Sequence, residues 1–158
     1  AQLARWQVAA PDLVLSINLS PLQFRDPELC PQIFDCIARH GLAPWQLEPE
    51  ITEGVLMENA DEIESNLACL IEAGFQLAID DFGTGYSSLS YLPRLQVATL
   101  KLDKSFTQGL ATNQASTAFV RYVLGLGHEL GIKITAEGVE TPEQQAWLVQ
   151  VGCDRLQG

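Results

Sequence analysis

Two adjacent carboxylates, Asp80 and Asp81, end an apolar run, Leu77-Ala78-Ile79, and lead into Phe82-Gly83-Thr84-Gly85-Tyr86-Ser87-Ser88. Like charges so close raise each other's pKa and call for a cation to neutralise them. Hard carboxylate oxygens suit a divalent metal such as Mg²⁺ or Mn²⁺. Taken by itself, the segment also reads as a surface turn with two solvated aspartates.

Further candidates stand behind other apolar runs. Asn18 follows Leu13-Val14-Leu15-Ser16-Ile17 and is either a turn former or a neutral hard donor that limits excess negative charge. Glu50 lies in Leu47-Glu48-Pro49-Glu50-Ile51-Thr52-Glu53, where strand alternation puts Glu48 and Glu50 on one face. A solvated strand face is the alternative there. Lys101, between Leu100 and Leu102, directs an amine inward, which is costly unless carboxylates pair with it. It is either a structural ion pair with Asp80 or Asp103, or a group that orients or deprotonates an attacking water. Glu137 precedes Gly138, which permits close backbone approach, while Glu140 alone reads as a surface acid. The histidines, His40 and His128, adjoin no serine or cysteine in a triad-like arrangement, and Gly83-Thr84-Gly85 is too short for a dinucleotide fingerprint.

The elements that must position these groups alternate between short apolar runs and longer amphipathic segments, the rhythm of β–α units. Strands are predicted over residues 13–17, 47–52, 75–79, 98–102, 133–136 and 154–157. A helix capped by Asp26, with Pro27 at its first position, runs to about His40 and stops at Gly41. Others cover about 61–73, with Ile63, Leu67, Leu70 and Ile71 on one face, and about 114–130. Thr141, Pro142 and Gln144 form a capping-box start for a last helix ending near Gly152. Pro93 and residues 108–114 read as loops, and residues 1–6 as the tail of a helix.

Nearly every predicted strand ends in a polar or ionisable residue: Asn18, Glu50, Asp80 with Asp81, Lys101 with Asp103, Glu137 and Gln157. In a parallel barrel such ends converge on one face, whereas a doubly wound sheet uses only those beside its switch point. The pattern favours a (β/α) barrel. So many inward acids are also too many for a stable metal-free interior.

Composition narrows the partners. Of 158 residues, 47% are apolar and 18% charged, as in a compact α/β protein, so a single domain spanning 1–158 is expected. A net charge of −11 argues against binding a nucleic-acid polymer, yet allows a small anionic substrate if metals supply the positive field. No apolar run reaches membrane-spanning length, so no membrane contact by this segment is expected. Cys30, Cys36, Cys69 and Cys153 show no C-x-x-C spacing and are expected as buried free thiols of a reducing cytoplasm.

Six segments together resemble the motifs of the EAL-domain cyclic di-GMP phosphodiesterases, in the same order: Ser16-Ile17-Asn18-Leu19-Ser20, Glu50-Ile51-Thr52-Glu53, Asp80 to Ser88, Lys101-Leu102-Asp103, Ala136-Glu137-Gly138-Val139-Glu140 and Leu156-Gln157-Gly158. The resemblance covers essentially the whole chain. It implies a TIM-type barrel, of which about six of eight strands fit here. It also implies metal-dependent hydrolysis of cyclic di-GMP to linear pGpG by a water activated at a two-metal site holding Mg²⁺ or Mn²⁺. By resemblance, Asn18, Glu50 and Asp80 ligate one metal, Asp80 and Asp81 engage the second, and Glu137 ligates or holds the site. Lys101 acts on the water as base or orienter, Gln157 positions the water or its metal, and Asp103 and Gln157 face the substrate. Glu53 anchors the glycine loop 82–88, which in this family shapes the second metal site and a dimer contact.

The Glu-Ala-Leu motif that names the family does not occur before Asn18. The chain therefore reads as a partial domain, truncated at both ends, with weak or no turnover by itself. Its parent is expected to be a cytoplasmic homodimer fused to a sensory or GGDEF domain and tethered to the membrane, if at all, through other domains. A non-catalytic cyclic di-GMP receptor or interaction scaffold of the same fold is the alternative.

Overall fold

The structure is a computed structural model that describes residues 2–58, 60–85, 92, 96–111 and 113–158. Tyr86, Ser87 and Ser88 of the expected glycine loop, and Pro93, lie outside the described residues. The chain forms two compact units, Ala1–Ala78 and Ile79–Gly158.

The first unit contains α1 (Gln2–Trp6), β1 (Leu15–Asn18), α2 (Pro21–Phe24), α3 (Leu29–Arg39), β2 (Leu47–Thr52), α4 (Glu53–Leu56) and α5 (Asp61–Glu72). β1 and β2 run parallel, with Asn18 opposite Glu50. Helix α3 starts at Leu29, not at Pro27. Asp26 Oδ1 accepts the Glu28 N–H, so the side chain that was expected to cap the helix closes a turn ahead of it. Apolar residues of α3 (Ile33, Ile37) and α5 (Ile63, Leu67, Leu70) are buried, as the helical spacing requires. Buried Asn66 of α5 donates from Nδ2 to the carbonyls of Phe24 and Asp26, both at 2.9 Å, and thereby ties the α2–α3 connection to α5.

Helix α5 closes with a Schellman pair, Gly74 N–H to Ile71 O and Phe75 N–H to Leu70 O. The same bonding pattern ends α3, α7 (Gln114–Leu130) and α8 (Pro142–Gln150), each time handing an apolar or thiol side chain to the segment that enters the next strand. This shifts the third strand. Phe75 and Leu77 are buried, but the Phe75 N–H still belongs to the helix end, and β3 spans Ala78–Phe82 instead of residues 75–79. Asp80 and Asp81 therefore lie inside the strand.

In the second unit β3 is followed by β4 (Thr99–Leu102), α6 (Lys104–Gln108), α7, β5 (Lys133–Ala136), α8 and β6 (Arg155–Leu156). β4, β5 and β6 pair in parallel, Lys101 opposite Thr135 and Ala136 opposite Leu156. Part of the expected 108–114 loop is helical: Gln108 ends α6 and Gly109–Ala111 continue as a 3₁₀ turn before Asn113 caps α7. The capping box at Thr141 is present, with Thr141 Oγ1 accepting the Gln144 N–H. Ile79, Phe82, Leu100, Leu102, Val123, Ile134 and Leu148 are fully buried and form the core of this unit.

All four cysteines are free, but only Cys30 is buried; Cys36 is exposed, and Cys69 and Cys153 are half-buried. Cys36 turns outward because only part of the amphipathic α3 faces the core. Among the described residues, no helix is long and apolar enough to cross a membrane.

Candidate metal centre

Parallel strands carry the second unit's ionisable groups to their C-terminal ends. Asp80 and Asp81 come from β3 and Lys101 from β4, and Glu137 follows β5. Carboxylate oxygens of Asp80, Asp81 and Glu137 lie within 4.8 Å of one another. Lys101, 7% exposed, reaches into this group, with Nζ 2.7 Å from Glu137 Oε1 and 3.1 Å from Asp80 Oδ1. The contact with Asp80 is an ion pair only, since Asp80 Oδ1 is buried and accepts no hydrogen bond among the described residues.

Backbone geometry separates the two aspartates. Asp81 has φ +52°, in the left-handed region, and it is the one non-glycine residue so placed among those described. Asp81 is exposed, yet partial desolvation, with the carboxylates of Asp80 and Asp103 beside it, pushes its carboxyl up. Asp103 caps α6 instead: its Oδ1 accepts the Ser105 N–H at 3.0 Å, and hydrogen bonding from Ser105 holds its carboxyl below the usual range.

Gln157 follows β6, and its backbone is bonded on both sides of the Glu137-Gly138 turn, to Ala136 O and from Val139 N–H. Its side chain is exposed. In the first unit, Asn18 ends β1 exposed, while Glu48 and Glu50 in β2 and Glu53 at the start of α4 are buried. The solvated-face alternative for β2 is therefore overturned, because the whole strand from Leu47 to Ile51 is covered. Ser16 Oγ donates to Glu48 Oε2 at 3.0 Å. Sequence reasoning passed over Ser16 and also Lys104, whose charge counters the upward push on Asp81. Lys104 directly follows the Lys101-Leu102-Asp103 motif, and that proximity was the available signal.

The donor set suits a hard divalent cation. Three clustered carboxylates, one of which (Asp80) has a buried oxygen that accepts no hydrogen bond among the described residues, provide oxygen ligands whose mutual repulsion a metal relieves.

The EAL domain profile matches residues 1–158. The chain belongs to the EAL domain family. Its amino-acid sequence is 44% identical over 147 residues to the bifunctional diguanylate cyclase/cyclic di-GMP phosphodiesterase MucR of Pseudomonas aeruginosa, covering 93% of this chain and 22% of that protein. Its structure is similar to that of the MucR phosphodiesterase in complex with cyclic di-GMP, with TM-score 0.93 and 42% identity, over 99% of this chain and 64% of that one. The EAL domain of Mycobacterium smegmatis DcpA matches with TM-score 0.91 and 38% identity, over 100% of this chain and 72% of that one. BlrP1 of Klebsiella pneumoniae, solved with manganese and cyclic di-GMP, matches with TM-score 0.89 and 36% identity, over 99% of this chain and 40% of that one. The fold is thus α/β, six parallel strands with helices, an incomplete TIM-type barrel of the EAL family. The chain spans about a fifth of the length of the curated relatives it matches.

Proposed function

We propose that the protein carrying this chain hydrolyses cyclic di-GMP to linear pGpG with two divalent cations, Mg²⁺ or Mn²⁺. The observation that carries this reading is the Asp80, Asp81 and Glu137 cluster with Lys101 set into it, in a chain of the EAL family. Relatives solved with cyclic di-GMP and with calcium or manganese support the substrate and the ion class.

Asp80, Asp81 and Glu137 would hold the metal, with Asn18 and Glu50 assigned as further ligands by the family motifs. Bound divalent cations supply Lewis acidity toward a phosphate oxygen and toward water. The protein's own groups do the rest. The Lys101 amine, held by Asp80 and Glu137, orients the attacking water or takes its proton. Gln157, beside the Glu137-Gly138 turn, positions that water, and with Asp103 lines the substrate. Glu53 anchors the glycine loop. An acidic chain needs no basic groove for this dianion, because the cations supply the field. The reading extends to a cytoplasmic homodimer fused to a sensory or GGDEF domain, all within one EAL domain to which residues 1–158 contribute.

Asp80→Asn is the test. Chromatography of cyclic di-GMP incubated with Mn²⁺ should show pGpG from the wild type, none after chelation, and none from the variant, whose circular dichroism stays native. Unchanged turnover in Asp80→Asn, or tight binding of cyclic di-GMP by the wild type without any product, defeats the proposal.

A further inference from the structure

Two glycines stand just downstream of the cluster carboxylates, and both meet α6. Gly83, two residues after Asp81, has φ +95°, and a Cβ there would lie 2.8 Å from the Phe106 ring and 2.8 Å from the Phe119 ring. Those rings stack at 4.4 Å between centroids, Phe106 from α6 on Phe119 from α7. Gly138, directly after Glu137, has φ +65°, and a Cβ there would lie 2.5 Å from Lys104 Cβ. One five-residue helix thus touches both segments that carry the carboxylates.

That helix is fastened by groups other than the three cluster carboxylates. Asp103 caps its start, and Gln144 Nε2 at the start of α8 donates to the Thr107 carbonyl. Thr107 is buried, and the Phe106–Phe119 stack braces the helix against the much longer α7. Close-packed contacts of this kind transmit displacement, because no void remains to absorb it.

We propose that α6 is a positioning wedge for the cation site: Phe106 against Gly83 and Lys104 against Gly138 set the separation of Asp80 and Asp81 from Glu137. Phe106, Phe119 and Lys104 are positioning residues and touch no reacting atom. The inference rests on the cluster being a cation site. Both glycines are required by contact as well as by backbone, since any side chain would push the carboxylate segments off the helix. Ligand geometry matters here because a small hard cation such as Mg²⁺ tolerates little departure from its preferred oxygen arrangement.

The test is Mn²⁺ binding by electron paramagnetic resonance, with no turnover needed, on wild type, Asp80→Asn, Phe106→Leu, Gly138→Ala and Val123→Ala. Val123 is a buried core residue of α7 and serves as the purely structural comparison. Phe106→Leu and Gly138→Ala should each weaken Mn²⁺ binding about tenfold or more, while Val123→Ala lowers the melting temperature yet leaves binding within about twofold. If Phe106→Leu does not fold, Gly138→Ala decides by the same criterion from the other contact. Wild-type affinity retained in the folded wedge variants overturns the wedge and leaves the cation reading standing, provided Asp80→Asn loses Mn²⁺. Wild type that binds no Mn²⁺, or binds it as well after Asp80→Asn, overturns the cation reading and the wedge with it.

Discussion

Replacing Lys101 by methionine removes the cation that three clustered carboxylates share in the metal-free protein. At an effective dielectric constant of about 20, the 2.7 Å contact with Glu137 carries roughly 6 kcal/mol of Coulomb energy and the 3.1 Å contact with Asp80 roughly 5. Desolvation of the lysine, 7% exposed, offsets much of this. Removing one partner of a buried pair leaves the other uncompensated and costs about 3–5 kcal/mol. For a chain of this length that corresponds to a fall of roughly 6–20 °C in melting temperature. Calorimetry with a chelator present should show this fall in Lys101→Met. Adding Mn²⁺ should then raise the midpoint of the variant by more than that of the wild type, since the ion takes over the lysine's charge without competing against it. A loss below about 1 kcal/mol, or an equal Mn²⁺ gain in both proteins, would refute the view that Lys101 stands in for a cation.

Elsewhere the structure sets sharper local expectations. Asn66→Ala strands the Phe24 and Asp26 carbonyls and should cost about 2–3 kcal/mol in urea unfolding; a cost under half a kcal/mol would contradict the staple. The Cys30 thiol, pushed up to about 12 by burial and by Cys69, should resist iodoacetamide at pH 8 until the protein unfolds, while exposed Cys36 reacts; equal rates by mass spectrometry would contradict this. Asp103→Ala should cost about 1 kcal/mol at pH 7 through loss of the α6 cap. Because the folded-state pKa of Asp103 is lowered, its stabilisation is full above the unfolded value and fades as pH falls through the folded one. The gap between variant and wild type should therefore narrow as melts are run at progressively lower pH below the unfolded value, and a gap that widens in acid would reverse the assignment.

Much of the fold was legible because its signals are chemically local. β2, α7 and β5 span the residues that apolar runs, caps and stop glycines marked, and the Thr141 capping box closes as its spacing requires. Helices α2, α4 and α6 are four or five residues long, little more than one turn, so hydrophobic spacing had no repeat to register. A clue to α2 was present, since Ser20 and Gln23 form a capping box. At the site, strand ends of alternating type brought Asp80, Lys101 and Glu137 to attention, and the parallel ladder sets Lys101 beside β5. What stayed hidden was the left-handed backbone of Asp81 and the aromatic bracing of Gly83. Both depend on partners distant in the chain, and a pair of adjacent aspartates looks the same whether or not their backbones match.

That mismatch gives the two neighbours different histories under substitution. Asp80 sits in ordinary strand geometry, whereas Asp81 holds φ +52°, where glycine, asparagine and aspartate fit at low cost and β-branched side chains do not. Substitution at residue 80 is felt through the buried contact with Lys101, whereas at residue 81 the backbone itself penalises β-branched side chains. A valine at either position would thus fail for a different physical reason, electrostatic at 80 and conformational at 81.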